Sequence, residues 1–189
     1  MSKQELRKEM IQRRAKLSLA YRKRAEANIL TALVNLELYQ RAQMIFCYVG
    51  MTDEIDTRLF IQKFLSQGKR VCVPKVLSLG EMAAFEITDL TDLALSSGKY
   101  QILEPVDGCP VVEKHEIDLG IIPCITADEQ GFRLGYGGGF YDRYLTDSQM
   151  SKVLCLWSQM VVSDVPRESH DVPVDWLITE NEVKKIIHR

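Results

Sequence analysis

A repeated alternation of short apolar runs with helix-forming segments constrains the fold of this chain more than any other feature. The first run, MIFCYV at residues 44–49, is apolar, aromatic and β-branched and ends at Gly50, as a buried strand does. A predicted helix over residues 56–67 follows, Gly68 ends it, and residues 70–74 form a second apolar strand. This β-α-β order predicts parallel strands covered by helices.

Further segments extend the same pattern along the chain. A capping box of Ser2 and Glu5 predicts an opening helix to about residue 16, and Ser18 caps a second helix with apolar residues at helical spacing. Strands are predicted at 82–87, 119–122, 153–157 and 176–179. The fold class is therefore α/β, with a mostly parallel sheet flanked by helices. Since 189 residues match the length of one domain, we expect a single domain over residues 1–189.

Composition excludes several classes of function. With 24 basic and 26 acidic residues the net charge is −2, so no global field attracts nucleic acid or an anionic membrane. The charged start MSKQELRKEMIQRR predicts neither a signal peptide nor a membrane span. Five dispersed cysteines and three scattered histidines predict buried thiols and no zinc site. We expect a cytoplasmic monomer that acts on a small molecule.

The glycine-rich run RLGYGGGFYDR, from Arg133 to Arg143, is the strongest candidate site. A strand, a loop and a glycine cluster precede a predicted helix start at Gly139 or Phe140, an order that presents backbone N–H groups to an anion. Arg133 and Arg143 flank the loop and favour phosphate. A mobile turn is the alternative, and the run matches neither the P-loop nor the dinucleotide fingerprint. Asp142 would repel phosphate unless Mg²⁺ stood between them, which predicts a metal ligand.

Three other groups are weaker candidates. Lys3, Arg7 and Arg14 fall within a sector of roughly 40° on the first helix, which is either a solvated face or one wall of a cleft. Glu54 follows a strand directly and is either a ligand-binding residue or an acid at the positive start of the next helix. Asp175 is either a second metal ligand or an exposed loop aspartate.

These motifs together resemble the 5-formyltetrahydrofolate cyclo-ligases, also called 5,10-methenyltetrahydrofolate synthetases. The likeness rests on RLGYGGGFYDRYL and extends to K-x-x-L-R at 3–7, E-I-D-T at 54–57, V-P-K-V at 73–76, L-E-P at 103–105 and the closing segment 174–180. Ile55 in place of a usual valine, and T-A-D at 126–128 in place of A-F-D, are small departures that remove no charge.

The resemblance implies a Rossmann-like three-layer scaffold and a set of site residues. ATP and Mg²⁺ are the implied cofactors, and Arg133, Tyr141 and Asp142 the implied catalytic residues. Asp142 and Asp175 would hold the metal, whereas Val49 and Glu54 would hold the folate. The implied ATP contacts are Lys3, Arg7, Arg133, Leu134, Gly135, Tyr136, Gly137, Gly138, Gly139, Phe140 and Tyr141.

The implied reaction converts 5-formyltetrahydrofolate and ATP into 5,10-methenyltetrahydrofolate, ADP and phosphate. Phosphorylation of the formyl oxygen would activate it for attack by N10, so no covalent enzyme nucleophile is required. Met51, Phe60, Trp157 and Met160 are candidates for the apolar wall of the folate pocket. The alternatives are a binding module of the same fold that senses folate or nucleotide or contacts RNA, and a sugar-phosphate isomerase that would turn over without ATP.

Overall fold

A computed structural model describes residues 1–96 and 102–188 of the chain. One eight-stranded sheet forms its centre, and two small sheets lie beside it. The strands are β1 (Met44–Cys47), β2 (Arg70–Ser78), β3 (Glu81–Ile87), β4 (Leu93–Leu95), β5 (Leu103–Pro105), β6 (Val111–Val112), β7 (Leu119–Ile121), β8 (Thr126–Asp128), β9 (Arg133–Leu134), β10 (Ser151–Cys155), β11 (Val161–Val162), β12 (Trp176–Ile178) and β13 (Val183–Lys185).

Five α-helices accompany the strands in the described part of the chain. Ser2 caps the first through the expected capping box with Glu5, and Ser18 caps the second. The helices are α1 (Lys3–Ala15), α2 (Leu19–Val34), α3 (Glu37–Arg41), α4 (Thr57–Ser66) and α5 (Phe140–Leu145), with short 3₁₀ turns at Leu90–Asp92, Lys114–Glu116 and Ser158–Met160. No helix among these residues combines the length and the apolarity needed to span a bilayer.

The central sheet has the order β13-β12-β10-β7-β1-β2-β3-β6. Its inner strands, from β12 to β2, are parallel, whereas β13 pairs antiparallel with β12 at one edge and β3 pairs antiparallel with β2 and β6 at the other. The predicted mostly parallel sheet flanked by helices is confirmed. Because the inner strands are largely buried, each shows the near-continuous apolar run that revealed it in the sequence.

The strand order reverses between β1 and β7. From β1 the chain moves outward to β2 through α4, whereas β7, β10 and β12 extend the sheet in the opposite direction. A crevice opens where such a reversal occurs, outside the carboxyl ends of the two strands, and ligands of open α/β sheets bind there. This edge is where the segment after Cys47 and the segment after Ile121 emerge together.

Two features of the fold differ from expectation. The strand predicted over residues 70–74 continues to Ser78 and forms a long antiparallel hairpin with β3, bent by an irregularity between Val76 and Ser78. The distal half of β2 is exposed and lacks a continuous apolar signal. The short strands β8, β9 and β11 form a separate three-stranded sheet that carries the glycine-rich run.

Candidate functional site

The loop after β1 is held by one threonine hydroxyl. Thr57 Oγ1 donates a hydrogen bond to the Tyr48 carbonyl over 2.6 Å and accepts one from the Gly50 amide over 2.8 Å. A Cβ on Gly50 would lie 2.3 Å from the Ile55 carbonyl oxygen, so only glycine allows the chain to close this turn. The turn places the buried Glu54 at the carboxyl edge of the sheet, after the buried Val49.

Glu54 faces the glycine-rich run and does not act at the start of α4. Its Oε2 accepts a hydrogen bond from the Met51 amide over 2.8 Å, and its Oε1 accepts one from the Tyr136 hydroxyl over 2.9 Å. Burial raises the pKa of Glu54, and the two hydrogen bonds together with the nearby Arg14 lower it in part. The residue that precedes α4 is Asp56, so the helix-start alternative for Glu54 does not describe this structure.

The glycine-rich run turns sharply between β9 and α5. Gly137 has φ 94° and Gly139 has φ 65°, left-handed values that other residues rarely adopt. Residues 136–138 are exposed to solvent at the middle of the turn, whereas Leu134 is buried beneath it. Helix α5 has only six residues, so its dipole contributes less to an anion site than the sequence suggested.

Arg133 supplies the positive charge under this loop. Its side chain is 4% exposed, and Nη1 donates a hydrogen bond to Asp142 Oδ1 over 3.0 Å. Its Nε and Nη2 are buried without a partner among the described residues. Buried guanidinium donors almost always find acceptors, so these two N–H groups are suited to the oxygens of an anionic ligand.

Two residues of the cationic stripe of α1, Arg7 and Arg14, contact the loop, whereas Lys3 contacts two carboxylates elsewhere. Arg7 Nε donates to the Gly135 carbonyl over 2.8 Å, and Arg14 Nη2 donates to the Tyr136 hydroxyl over 3.0 Å. Lys3 Nζ lies 2.8 Å from Glu168 and 2.7 Å from Asp171, and Arg14 also pairs with Asp53. The cleft-facing interpretation therefore describes Arg7 and Arg14, and the ATP contact expected of Lys3 stays a prediction.

Asp142 and Asp175 lie in different surroundings. The Asp142 side chain is 20% exposed, and its Oδ1 also accepts a hydrogen bond from the Val172 amide over 3.2 Å. Asp175 precedes β12, at the amino end of that strand, and its Oδ2 accepts from the backbone amide and the ammonium group of Lys152. Asp175 Oδ1 lies 3.3 Å from His188. Within the described ranges no contact joins the two aspartates, and Glu54 lies at the opposite, carboxyl edge of the sheet.

Comparison with known proteins identifies the relatives of this chain. The model of the 5-formyltetrahydrofolate cyclo-ligase family matches residues 1–180. The chain belongs to that family. A 5-formyltetrahydrofolate cyclo-ligase from Haemophilus influenzae is 29% identical over 176 residues, which cover 91% of this chain and 94% of the relative.

Two solved structures of cyclo-ligase relatives have the same fold. The 5,10-methenyltetrahydrofolate synthetase of Aquifex aeolicus is 30% identical with a TM-score of 0.87, and the match covers 100% of this chain and 95% of the other. The 5,10-methenyltetrahydrofolate synthetase of Mycoplasma pneumoniae is 25% identical with a TM-score of 0.77, and that match covers 95% and 99% of the two chains. The expected resemblance is confirmed over the length of the chain.

The tyrosine of the cyclo-ligase signature, Tyr141, lies partly in the core. Its ring packs edge-on against Phe46 of β1, with 6.3 Å between the ring centroids. Burial raises the pKa of Tyr141 far above its ordinary value, so the hydroxyl stays protonated. Tyr141 can therefore donate a hydrogen bond but does not serve as a base near neutral pH. Its catalytic role stays a prediction, as does the ATP contact expected of the neighbouring, half-buried Phe140.

Arg143 holds the loop in place on its outer side. Its Nε donates to the Gly80 carbonyl in the β2–β3 turn over 2.9 Å, and its Nη2 donates to the Gly138 carbonyl over 2.7 Å. The guanidinium thus joins the glycine-rich run to the hairpin, a role that the sequence did not reveal. Its expected contact with phosphate stays a prediction.

The apolar candidates for the folate wall separate by burial. Phe60, Trp157 and Met160 are at most 1% exposed and lie in the core, whereas Met51 is half-buried at the loop that carries Glu54. Met51 is therefore the one of the four that a ligand could touch without core rearrangement. For the other three the folate contact stays a prediction, because side chains this deeply buried offer almost no free surface.

The thiols of this cyclo-ligase chain are not organised for chemistry. Cys47, Cys72 and Cys155 are buried, and Cys109 and Cys124 are half-buried. Burial raises the pKa of all five thiols, which keeps them protonated and unreactive. Nucleophilic catalysis by cysteine is therefore not favoured.

The exposed His170 lies beside the two carboxylates that contact Lys3 of α1. Its Nε2 is 3.6 Å from Glu168 and 3.8 Å from Asp171. The Lys3 ammonium already supplies positive charge to both carboxylates, at 2.8 Å and 2.7 Å. This group of side chains is therefore paired within the protein and does not favour a metal cluster.

Proposed function

We propose that this chain catalyses the ATP-dependent conversion of 5-formyltetrahydrofolate to 5,10-methenyltetrahydrofolate, with release of ADP and phosphate. Family membership supports the substrate and the reaction, since the curated relatives carry the same activity in their names. The single structural observation that carries the proposal is Arg133, which begins the glycine-rich run and whose Nε and Nη2 are buried without a partner among the described residues. That arrangement is suited to a transferring phosphoryl group.

The site divides between the two substrates along the crevice. The polyphosphate of ATP would lie on the glycine-rich run, with contacts from Arg133 and from Arg7, whose Nε already reaches the Gly135 carbonyl. The pterin ring would lie toward Glu54, whose carboxylate accepts hydrogen bonds from ring N–H groups.

Two further groups would complete the contacts with the substrates. Met51 would supply apolar surface beside the pterin ring, and the folate contact expected of the buried Val49 stays a prediction. Lys3 would exchange its contacts with Glu168 and Asp171 for phosphate oxygens. Each substrate would then meet groups from more than one segment of the chain.

The chemistry that follows needs positioning and charge, not a nucleophile from the protein. The formyl oxygen attacks the γ-phosphorus, the bond to the β,γ-bridging oxygen breaks, and ADP leaves. N10 then attacks the activated formyl carbon, the phosphate departs with the former formyl oxygen, and the proton of N10 is lost. Arg133 stabilises negative charge on the phosphoryl oxygens in the first step, because its fixed fork geometry matches them.

Asp142 fits a divalent cation better than Asp175 does. Asp142 Oδ2 has no hydrogen-bond donor among the described residues, and one carboxylate suffices because Mg²⁺ is usually held by one or two carboxylates, substrate phosphates and water. When bound, Mg²⁺ would neutralise part of the charge on the polyphosphate. Asp175 would be a second ligand only after release of Lys152 and His188, and that role stays a prediction.

The test is the appearance of the methenyl chromophore when purified protein meets MgATP and 5-formyltetrahydrofolate. We expect one ADP for each methenyl product and no product without ATP. A protein that binds folate or nucleotide tightly without releasing phosphate would support the binding-module alternative and contradict the proposal. Turnover of a sugar phosphate without ATP would contradict the proposal and support the isomerase alternative.

A further inference from the structure

A hydrogen-bonded chain of three side chains crosses the crevice. Arg14 Nη2 donates to the Tyr136 hydroxyl over 3.0 Å, and that hydroxyl donates to Glu54 Oε1 over 2.9 Å. The three residues come from α1, from the glycine-rich run and from the loop after β1. These hydrogen bonds therefore join the segment proposed for ATP to the carboxylate proposed for the folate.

The direction of the hydrogen bonds is determined by the chemistry of the groups. A guanidinium has only donors, a carboxylate has only acceptors, and a tyrosine hydroxyl can accept one hydrogen bond while it donates another. Although Tyr136 as a whole is exposed at the turn, desolvation and the nearby Glu54 raise the pKa of its hydroxyl, so this hydroxyl keeps its proton for Glu54. Arg14 is 3% exposed and its Nε has no partner among the described residues.

The surroundings of Glu54 otherwise oppose its ionised form. The charged and titratable groups around it come from several segments, and Arg14 is the cation that lowers its pKa. They are Arg14 from α1, Asp53 beside it, Tyr48 at the end of β1, Cys124 after β7, Tyr136 from the glycine-rich run and Tyr141 from α5. A carboxylate buried among neutral hydroxyls and a thiol needs a donor and a nearby cation to stay charged.

We infer that Tyr136 and Arg14 are positioning residues for the folate, which act by holding the Glu54 carboxylate ionised and aimed at the pterin edge. This inference rests on the proposed function. The Met51 amide holds Oε2 and the Tyr136 hydroxyl holds Oε1, so the plane of the carboxylate is fixed before the substrate arrives. Tyr136 belongs to the phosphate loop by sequence but serves the folate through Glu54.

The test compares Tyr136→Phe with wild type, with Tyr21→Phe as the matched control. Tyr21 also donates its hydroxyl to a carboxylate, Glu180, over 2.6 Å, in a contact that involves neither the glycine-rich run nor Glu54. For Tyr136→Phe we expect KM for 5-formyltetrahydrofolate to rise about tenfold, KM for ATP to change less than about twofold, and the acidic limb of kcat/KM to move to higher pH. Tyr21→Phe should leave all three at the wild-type values.

A double-mutant cycle distinguishes action through Glu54 from direct contact with substrate. In a Glu54→Gln background, adding Tyr136→Phe should raise KM for the folate little further, because the group through which it acts has lost its charge. Additive effects of the two substitutions on KM for the folate, or an unchanged acidic limb in Tyr136→Phe, would overturn the inference. Wild-type turnover in the same experiment would leave the proposed function standing. If the wild-type protein forms no methenyl product, the proposed function fails first.

Discussion

Arg133 Nη1 and Asp142 Oδ1 are 3.0 Å apart, and this ion pair joins strand β9 to helix α5 across the turn of the glycine-rich run. The pair fixes the guanidinium so that its two remaining donor groups have no partner in the described protein. It also leaves Asp142 Oδ2 without a donor from those same residues. One contact thus orients an arginine for phosphate and a carboxylate for a cation.

Asp142→Asn should lower kcat sharply, by roughly 10²-fold, because it removes both the charge that holds Arg133 and the oxygen available to Mg²⁺. Steady-state kinetics with varied Mg²⁺ measures the effect, and the Mg²⁺ concentration needed for half-maximal rate should rise. The exposed Asp147→Asn, just beyond the end of α5, is the control and should behave as wild type. Undiminished turnover in Asp142→Asn would remove the residue from the mechanism.

Arg133→Lys keeps the charge but loses the fork of the guanidinium. We expect kcat/KM for ATP to fall by about 10²-fold, since an ammonium has no counterpart to Nε and Nη2 in their fixed directions. Arg13→Lys is the matched control, because Arg13 lies on the outer face of α1 in a solvent-exposed pair with Glu9. Equal activity of the two variants would show that charge alone suffices at position 133.

Glu26 makes stability depend on pH. This α2 carboxyl is 7% exposed, and burial raises its pKa from the ordinary 4.5 to about 7, against partial compensation by the Asp56 backbone and by Arg22 and Lys23. Between those two pH values the folded state binds more protons than the unfolded state, so the contribution of Glu26 to the free energy of unfolding should fall as pH rises from 4.5 to 7.

Glu26→Gln should therefore be more stable than wild type at pH 8, by roughly 1–3 kcal/mol, and should lose most of that advantage below about pH 4.5. Urea unfolding at several pH values measures the difference. The exposed Glu182→Gln should follow the wild-type curve. If the two variants show the same pH dependence, burial of Glu26 has no energetic consequence.

Gly50→Ala should damage both stability and folate binding. A Cβ there would lie 2.3 Å from the Ile55 carbonyl oxygen, so the loop must shift, at a cost of about 1–3 kcal/mol, and carry Glu54 with it. Gly68→Ala is the control: an alanine at φ 75° would be strained, but it would meet open space, beyond the other end of α4. Thermal unfolding and KM for the folate should both change at position 50, and a normal KM would contradict the role of this turn.

Much of this architecture is predictable from the sequence, because the inner strands are buried on both faces and produce uninterrupted apolar runs. The helix caps Ser2 and Ser18 are predictable for a local reason, since a cap depends on residues within one turn. The distal half of β2 is not predictable in this way, because it is exposed and packing there does not select apolar residues.

The site is predictable only in part. The glycine-rich run and Glu54 carry local signals, but the contact between Tyr136 and Glu54 joins residues 82 positions apart and has none. Asp175 precedes a parallel strand, which places it at the amino edge of the sheet, opposite the edge where ligands of such sheets bind, and its role as a metal ligand stays a prediction.

The contacts of the glycine-rich run determine how freely it moves. Arg7 binds the Gly135 carbonyl, Arg143 binds the Gly138 carbonyl, and the Tyr136 hydroxyl is held from both sides of the crevice. A segment with four glycines in five positions would otherwise sample many backbone conformations and lose that entropy on each encounter with a nucleotide. Here most of the ordering of this segment takes place when the polypeptide folds, so each catalytic cycle begins with a binding loop that is already rigid.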